Sequence, residues 1–514
     1  MTASSTVKRD PWWQRLPGWV PLAAIGLLAA VVRVFGISTE SLWLDEATSL
    51  LVAKLPPVDL IRWTANDIHP PLYYLLLHYW VYLGQSELVV RGLSALAGVL
   101  TVGALYGLAE TLFDRRVGLW TALLLALNPL HVWYSQEARM YALLTLFYTL
   151  SLWLALRVWH RPSWGRGVAY VLVTTAALYT HYYGVFAILI ANACFLFFWW
   201  RRGHSRMLLR TWLRTQAATL VLYLVWLPRL LANLGGGGGW LAFSAGPPSL
   251  MVLPQTMILY VVGTARAHVP EAIRRLAYVL TGIAVVAGLV PFLLPGRRLR
   301  LFAEGEDSGW GEAMAFALTG LCLPLAAAWI ASQVFKPMYS ARYMLPFLPS
   351  FLLLLAAGLR AIQRDGWRLA VGGLLCLAMG WCLVTQAQVL EKPDWRAIAS
   401  QVVAESEPGD GVLFVPGWHG APFAYYAGEA LPLYDAMPAM VQQTPDASLG
   451  YVREAIRGHE RIWFVWETGH YSDPEAQVLA LLRHELQEQS VRVLHRLGDL
   501  YLFVHPPNDG GAGD

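Results

Sequence analysis

The chain has 514 residues, 56% of them hydrophobic and only 14% charged, with a mean hydropathy of +0.45. Water-soluble globular proteins carry roughly 25% charged residues, so composition excludes a soluble globular protein and a disordered chain alike. The net charge of +4 conceals an asymmetry: residues 391–514 hold 8 Lys and Arg against 18 Asp and Glu, leaving 30 against 16 in residues 1–390.

The first apolar run, Trp19 to Gly36, is followed by Ile37-Ser38-Thr39-Glu40 with no convincing small-residue cleavage site. It therefore reads as a retained helix rather than a removed signal peptide. Apolar runs near 19–36, 88–110, 117–134, 140–156, 167–182, 184–200, 214–231, 276–294, 313–334, 343–362 and 368–388 predict eleven membrane spans. Pro70 to Leu83 is too short for a span and reads as an interfacial or re-entrant helix. On that topology 19 of the 30 basic residues before Glu391 fall in alternate loops. They include Lys8, Arg9 and Arg15, Arg115 and Arg116, Arg201 to Arg214, Arg297 to Arg300, and Arg360 to Arg368. The positive-inside rule then puts the N-terminus in the cytoplasm and residues 391–514 outside. Making Pro70–Leu83 a full span would flip every later loop and break the rule.

Residues 235–255, beginning with Gly235 to Gly239, read as a flexible outer loop, and 252–265 as a re-entrant or interfacial piece. Beyond Glu391 the pattern changes. Helices are expected at Asp394–Glu405, Leu449–Arg457 and Glu475–Gln489, with strands at Gly411–Val415, Arg461–Trp466 and Tyr501–Val504. Short buried strands among amphipathic helices predict a small α/β domain, ending in a frayed tail at Asn508–Asp514. The expected fold is thus a polytopic α-helical membrane domain over 1–390, with about eleven spans plus juxtamembrane helices, and an extracytoplasmic α/β domain over 391–514. The four cysteines, Cys194, Cys322, Cys376 and Cys382, lie inside apolar runs without metal-ligand spacing and read as small hydrophobes. Basic residues confined to loops between spans give no nucleic-acid footprint.

Polar residues cluster in the outer loops rather than within the spans. The first such loop holds Asp45 and Glu46, then Asp67 and His69 before Pro70-Pro71. The second holds Glu137 and Arg139, and the third His181 and Tyr182. Later come Lys336, Tyr339 and Arg342, while Arg91 sits where the second span begins. Ionisable groups at membrane depth are functional candidates by default. Asp45 suits a general base taking a proton from an acceptor hydroxyl or amine; Glu46, its neighbour, points elsewhere and suits a fold contact or an acceptor. Arg342 with Lys336 and Tyr339 suits a lipid-linked phosphate, because a guanidinium matches phosphate oxygens in a planar, bidentate way. Arg91 is placed to hold Asp45, Glu46 or a phosphate, or to anchor its helix. Each residue alone is as easily a cap, a surface pair or a belt aromatic; their common face carries the argument.

The order Leu44-Asp45-Glu46, His69-Pro70-Pro71-Leu72, Arg91-Gly92-Leu93-Ser94-Ala95, then Asn128-Pro129-Leu130 through Ser135-Gln136-Glu137-Ala138-Arg139 resembles the polyprenyl-phosphate-sugar-dependent glycosyltransferases of the GT-C type. The likeness is strongest to the family that includes protein O-mannosyltransferases and lipid A aminoarabinose transferases. It is most specific over residues 19–200 and weak after about 390. The resemblance implies transfer of a hexose or pentose from a polyprenyl-phosphate donor to a protein, glycolipid or cell-envelope glycan on the non-cytoplasmic face, in the setting of membrane lipids. Asp45 matches the family's loop-one acid, His69 the position before the Pro-Pro pair, and Glu137 with Arg139 the polar second outer loop, where the local pattern departs from the aminoarabinose transferases. No cofactor is required on this reading, although Asp45, Glu46 and Glu137 could meet in space and leave a divalent cation open. Direct displacement would invert the anomeric centre. The competing reading is a lipid or glycolipid flippase, which would show polar or broken helices near mid-membrane and internal repeats; a sensor with an outer binding domain ranks third.

Overall fold

A computed structural model describes residues 17, 19–201, 203, 205–235, 247–293, 308–335, 337–435, 445–467, 473, 475–494 and 496–506. By contacts the chain divides into two compact units. One comprises Met1–Ile37 with Pro56–Val389, and the other Ser38–Leu55 with Leu390–Asp514. The segment carrying Asp45 and Glu46 thus belongs with the C-terminal residues, where sequence placed it in the membrane part.

The first unit is helical, and a helix lies at each of the eleven expected spans. Seven are long and apolar enough to cross a membrane: Glu87–Leu112, Tyr141–His160, Tyr182–Arg201, Glu271–Leu293, Gly309–Val334, Ala341–Ala361 and Asp365–Gln388. An eighth, expected at 117–134, is a pair of helices, Arg115–Ala126 and Pro129–Ser135, bent by 60°. The other three fall short in length or hydropathy: Trp19–Val34 has 16 residues, Trp164–Thr180 has 17, and Arg206–Tyr223 carries three arginines. The chain is a multi-pass membrane protein. Pro70–Leu83 forms a nine-residue helix, Leu72–Trp80, and one 3-10 turn, Val81–Leu83. At about 1.5 Å per residue in the helix and about 2 Å in the turn this covers roughly 20 Å, short of a bilayer core of about 30 Å. Val252–Val262 is likewise a short helix, stopped at Gly263 with φ of 76°. The glycine run after Gly235, the basic residues 297–300, Lys8, Arg9 and Arg15, and the tail 508–514 lie outside the described residues.

Polar side chains set where these helices begin. The Ser86 hydroxyl accepts from the Val89 N–H, Asp114 from Val117 at 2.8 Å, and Asn128 from His131 at 3.0 Å. Each satisfies an N–H that the first helical turn leaves without a partner. Helices Glu271–Leu293 and Leu348–Ala361 approach closely enough that a Cβ on Gly358 would lie 1.7 Å from the Ala284 carbonyl oxygen. Only glycine permits that approach.

The second unit holds a five-stranded sheet of order β2-β1-β3-β5-β4, with β1 at Gly411–Val415, β2 at Leu433–Asp435, β3 at Arg461–Trp466, β4 at Gln487–Leu494 and β5 at Gly498–Val504. The first three are parallel; β3, β5 and β4 pair antiparallel. Alternate residues feed opposite faces. Leu413, Ile462 and Phe464 pack with Val452, Ile456, Val478 and Leu482 from Pro445–Arg457 and Gln477–Glu485. Val412, Phe414, Trp463 and Val465 pack instead with Trp395, Ile398, Val402 and Phe423. The helix expected over Glu475–Gln489 stops at Glu485 and yields to β4. This edge strand is mostly polar, as edges exposed to water commonly are, and its alternation is masked by the helix-like run before it.

Candidate active site

Within the second unit, Asp45 and Glu46 occupy the first turn of helix Leu44–Lys54. Acidic residues there complement the positive end of the helix dipole. Asp45 is half-buried and its carbonyl accepts from the Ser49 hydroxyl at 2.8 Å. Glu46 is fully buried, accepts from the Trp43 N–H at 3.4 Å, and pairs with Lys392 Nζ at 3.1 Å. Its carboxylate is therefore engaged inside the fold.

Within the first unit, His69, Arg139, His181 and Arg342 come together from four separate segments between α-helices. The His69 and His181 rings lie 5.3 Å apart, and both are buried. His181 has extended backbone, which stops helix Trp164–Thr180. Its Nδ1 accepts the Tyr183 N–H at 3.1 Å, so the proton of the neutral ring sits on Nε2, where it can be donated. Burial, then the Arg139 and Arg342 charges, pushes the His181 imidazole down to about 3. His69 is lowered by burial, Arg139, His181 and Arg342 in that order. The charges acting on both rings are cationic, so both are neutral at pH 7. His69 Nδ1 is buried and makes no hydrogen bond among the described residues.

Aromatic rings surround the pair. Tyr343 lies 4.9 Å from His181, Tyr183 5.3 Å and Tyr141 6.2 Å, while the Arg342 guanidinium stands 5.8 Å from the Tyr343 ring centre. Arg139 is buried, its carbonyl accepts from the Ser94 hydroxyl at 3.0 Å, and its guanidinium reaches the Tyr74 hydroxyl at 3.4 Å. Glu137 is buried beside it in sequence, its carbonyl accepting the Arg139 N–H at 2.7 Å. Arg91 is also buried and donates to the Ile37 carbonyl at 2.6 Å. Tyr339 bonds Thr256 Oγ1 through its hydroxyl at 2.7 Å, with burial raising its phenol. Lys336 lies outside the described residues. Tyr182 packs with Leu178, Tyr223 and Trp226 rather than with the imidazoles.

Residues 68–230 match the family described as dolichyl-phosphate-mannose-protein mannosyltransferase. ArnT from Cupriavidus metallidurans bound to undecaprenyl phosphate is similar in structure, with a TM-score of 0.56 at 15% identity over 96% of this chain and 100% of that one. The oligosaccharyltransferase AglB from Archaeoglobus fulgidus, with an inhibitory peptide and a dolichol-phosphate, gives 0.52 at 12% identity over 98% and 76%. Arabinofuranosyltransferase AftD from Mycobacteria gives 0.51 at 15% over 96% and 42%. The chain has the GT-C glycosyltransferase fold. No curated protein sequence matches it.

The GT-C frame of this chain also holds buried polar groups inside its helices, which corrects the expectation that they keep to the loops. Arg33, fully buried near the end of Trp19–Val34, donates to the Ala29, Leu125 and Ala126 carbonyls at 3.1, 3.1 and 3.2 Å and bonds His131 Nδ1 at 2.9 Å. Leu125 and Ala126 end the helix before the 60° bend, so Arg33 caps carbonyls that the break would orphan. Tyr141, Tyr183 and Tyr343 were not singled out by sequence either. The available signal was their position one or two residues after Arg139, His181 and Arg342. Among the described residues no group of three or more His, Cys, Asp or Glu is placed to hold a metal ion.

Proposed function

We propose that this protein transfers a sugar from a polyprenyl-phosphate donor to a protein, glycolipid or cell-envelope glycan acceptor on the non-cytoplasmic face of the membrane. The carrying observation is the convergence of a buried Arg139 and a half-buried Arg342 on the buried His69 and His181, in surroundings lined by aromatic rings. Burial in a low-dielectric setting makes such a site strongly attractive to an anion that brings its own apolar tail. The structural neighbours that hold undecaprenyl phosphate and dolichol-phosphate supply the lipid class. Loop charge supports an N-terminus in the cytoplasm and a C-terminal domain outside.

On this reading the acceptor hydroxyl or amine gives its proton to the Asp45 carboxylate and forms a bond to the anomeric carbon. The bond from that carbon to the phosphate oxygen breaks, its electron pair leaving with the polyprenyl phosphate, and the configuration inverts. Arg139 and Arg342 stabilise the charge gained by the leaving phosphate, and the His181 Nε2–H donates to one of its oxygens. The test is transfer by purified protein in nanodiscs from a panel of radiolabelled polyprenyl-phosphate sugars, with Asp45→Asn alongside and with or without EDTA. An inverted product lost in a folded Asp45→Asn protein supports the reading. A retained configuration contradicts direct displacement. A wild-type protein that neither hydrolyses nor transfers any donor, yet moves the lipid across the bilayer, is a flippase.

A further inference from the structure

We infer that Lys392 is a positioning residue for the proposed base Asp45, and that the segment following the last span sets the catalytic helix through its ion pair with Glu46. This rests on the role given to Asp45 above. Residues 38–46 are fastened to 391–396 and to Tyr426 along their whole length. The Glu40 carboxylate accepts the Glu391 N–H and, at 3.0 Å, the Lys392 N–H. Ser41 Oγ donates to the Pro393 carbonyl at 2.8 Å and accepts the Trp395 N–H at 3.0 Å. The Leu42 N–H donates to the Tyr426 hydroxyl at 2.7 Å, and Arg396 donates to the Ser38 carbonyl at 3.1 Å.

Both partners of the ion pair are buried: the Glu46 and Lys392 side chains are 0% and 8% exposed. Glu46 directly follows Asp45 in the same helical turn, so fixing its carboxylate fixes the rotation and tilt of the turn that presents Asp45. A general base must be held within hydrogen-bond reach of the proton it removes, and a displacement of about 1 Å can cost 10²-fold in rate. The buried pair is a costly device for stability alone, since apolar residues of the same volume serve equally well or better.

The test compares Lys392→Met, Lys392→Arg, the double variant Lys392→Met/Glu46→Leu, and Asp45→Asn, measuring kcat, donor and acceptor KM, and thermal stability in nanodiscs. The expected result is a kcat about 10- to 100-fold lower in Lys392→Met with both KM values unchanged, and partial rescue by Lys392→Arg. In the double variant thermal stability returns, because no unpaired charge is buried, while kcat stays low. Recovery of kcat together with stability in the double variant would reduce the pair to a structural contact and overturn the inference. So would a wild-type kcat in Lys392→Met when Asp45→Asn is inactive, which leaves the base assignment standing. Full transfer by Asp45→Asn overturns the base assignment and this inference together.

Discussion

Arg33, and Arg139 with Arg342, are cations of the membrane unit that differ in their surroundings. Arg33 is fully buried and bonds three backbone carbonyls and one imidazole nitrogen. Gly98 leaves it room, since a Cβ there would lie 2.2 Å from Ser135 Oγ and 2.8 Å from Arg33 Nε. The charge serves a helix break. Arg139 and Arg342 come from separate segments, and their charges add to burial in holding the His69 and His181 imidazoles neutral. Tyr343 stands beside both the Arg342 guanidinium and the His181 ring, and Tyr183 beside His181. A buried arginine is therefore no sign of a site by itself; a cluster whose members raise the same potential at a shared, aromatic-lined spot is.

The largest effect that could break this contrast is on transfer. Arg139→Ala/Arg342→Ala is expected to lower kcat/KM for the donor by about 10³-fold, as loss of charge-stabilising donors does elsewhere. Arg342→Lys recovers part of it, because an ammonium keeps the charge without the bidentate fork. Steady-state kinetics over a donor series check both.

Arg33→Met sharpens the contrast from the other side. Donor KM is expected to stay at the wild-type value, while stability falls by about 1–3 kcal/mol for each acceptor left without its donor, read as a drop in thermal midpoint. Gly98→Ala should give a smaller loss of the same kind, since Ser135 and Arg33 must shift to admit the methyl group.

The smallest effect concerns pH. An imidazole held neutral in the folded protein, against about 6.5 unfolded, leaves the unfolded state binding more protons in acid. The stability it contributes is complete above about pH 6.5 and is lost as pH falls from there toward the folded value of about 3. Thermal midpoints should therefore decline between pH 7 and 5, and less steeply in His181→Gln.

Much of this was legible in the residues. The long apolar runs give helices directly, and His69, Arg139, His181 and Arg342 were all readable as ionisable groups at span ends, although only folding shows that they meet. Three things were not legible. Arg33 and His131 sit in runs apolar enough to look like plain spans, and only the 60° bend explains what they do. Tyr182 and Tyr183 are indistinguishable as letters; the 3-10 turn Tyr182–Gly184 sends the second, not the first, to His181. The grouping of Ser38–Leu55 with Leu390–Asp514 goes with hydrogen bonds from the Lys392 and Trp395 N–H groups to the Glu40 and Ser41 side chains, a pairing that composition does not encode.

The central claim is that Arg139 and Arg342 hold a lipid phosphate, and polyprenyl phosphate binding tests it most directly. Affinity for an undecaprenyl phosphate titrated into purified protein in nanodiscs would be measured for wild type, Arg139→Ala, Arg342→Ala and Arg33→Met. The account predicts weakening of at least about 10-fold in each of the first two variants, in line with about 1.5–3 kcal/mol for a hydrogen bond to a charged group, and wild-type affinity in Arg33→Met. Undiminished binding in folded Arg139→Ala and Arg342→Ala proteins would contradict it.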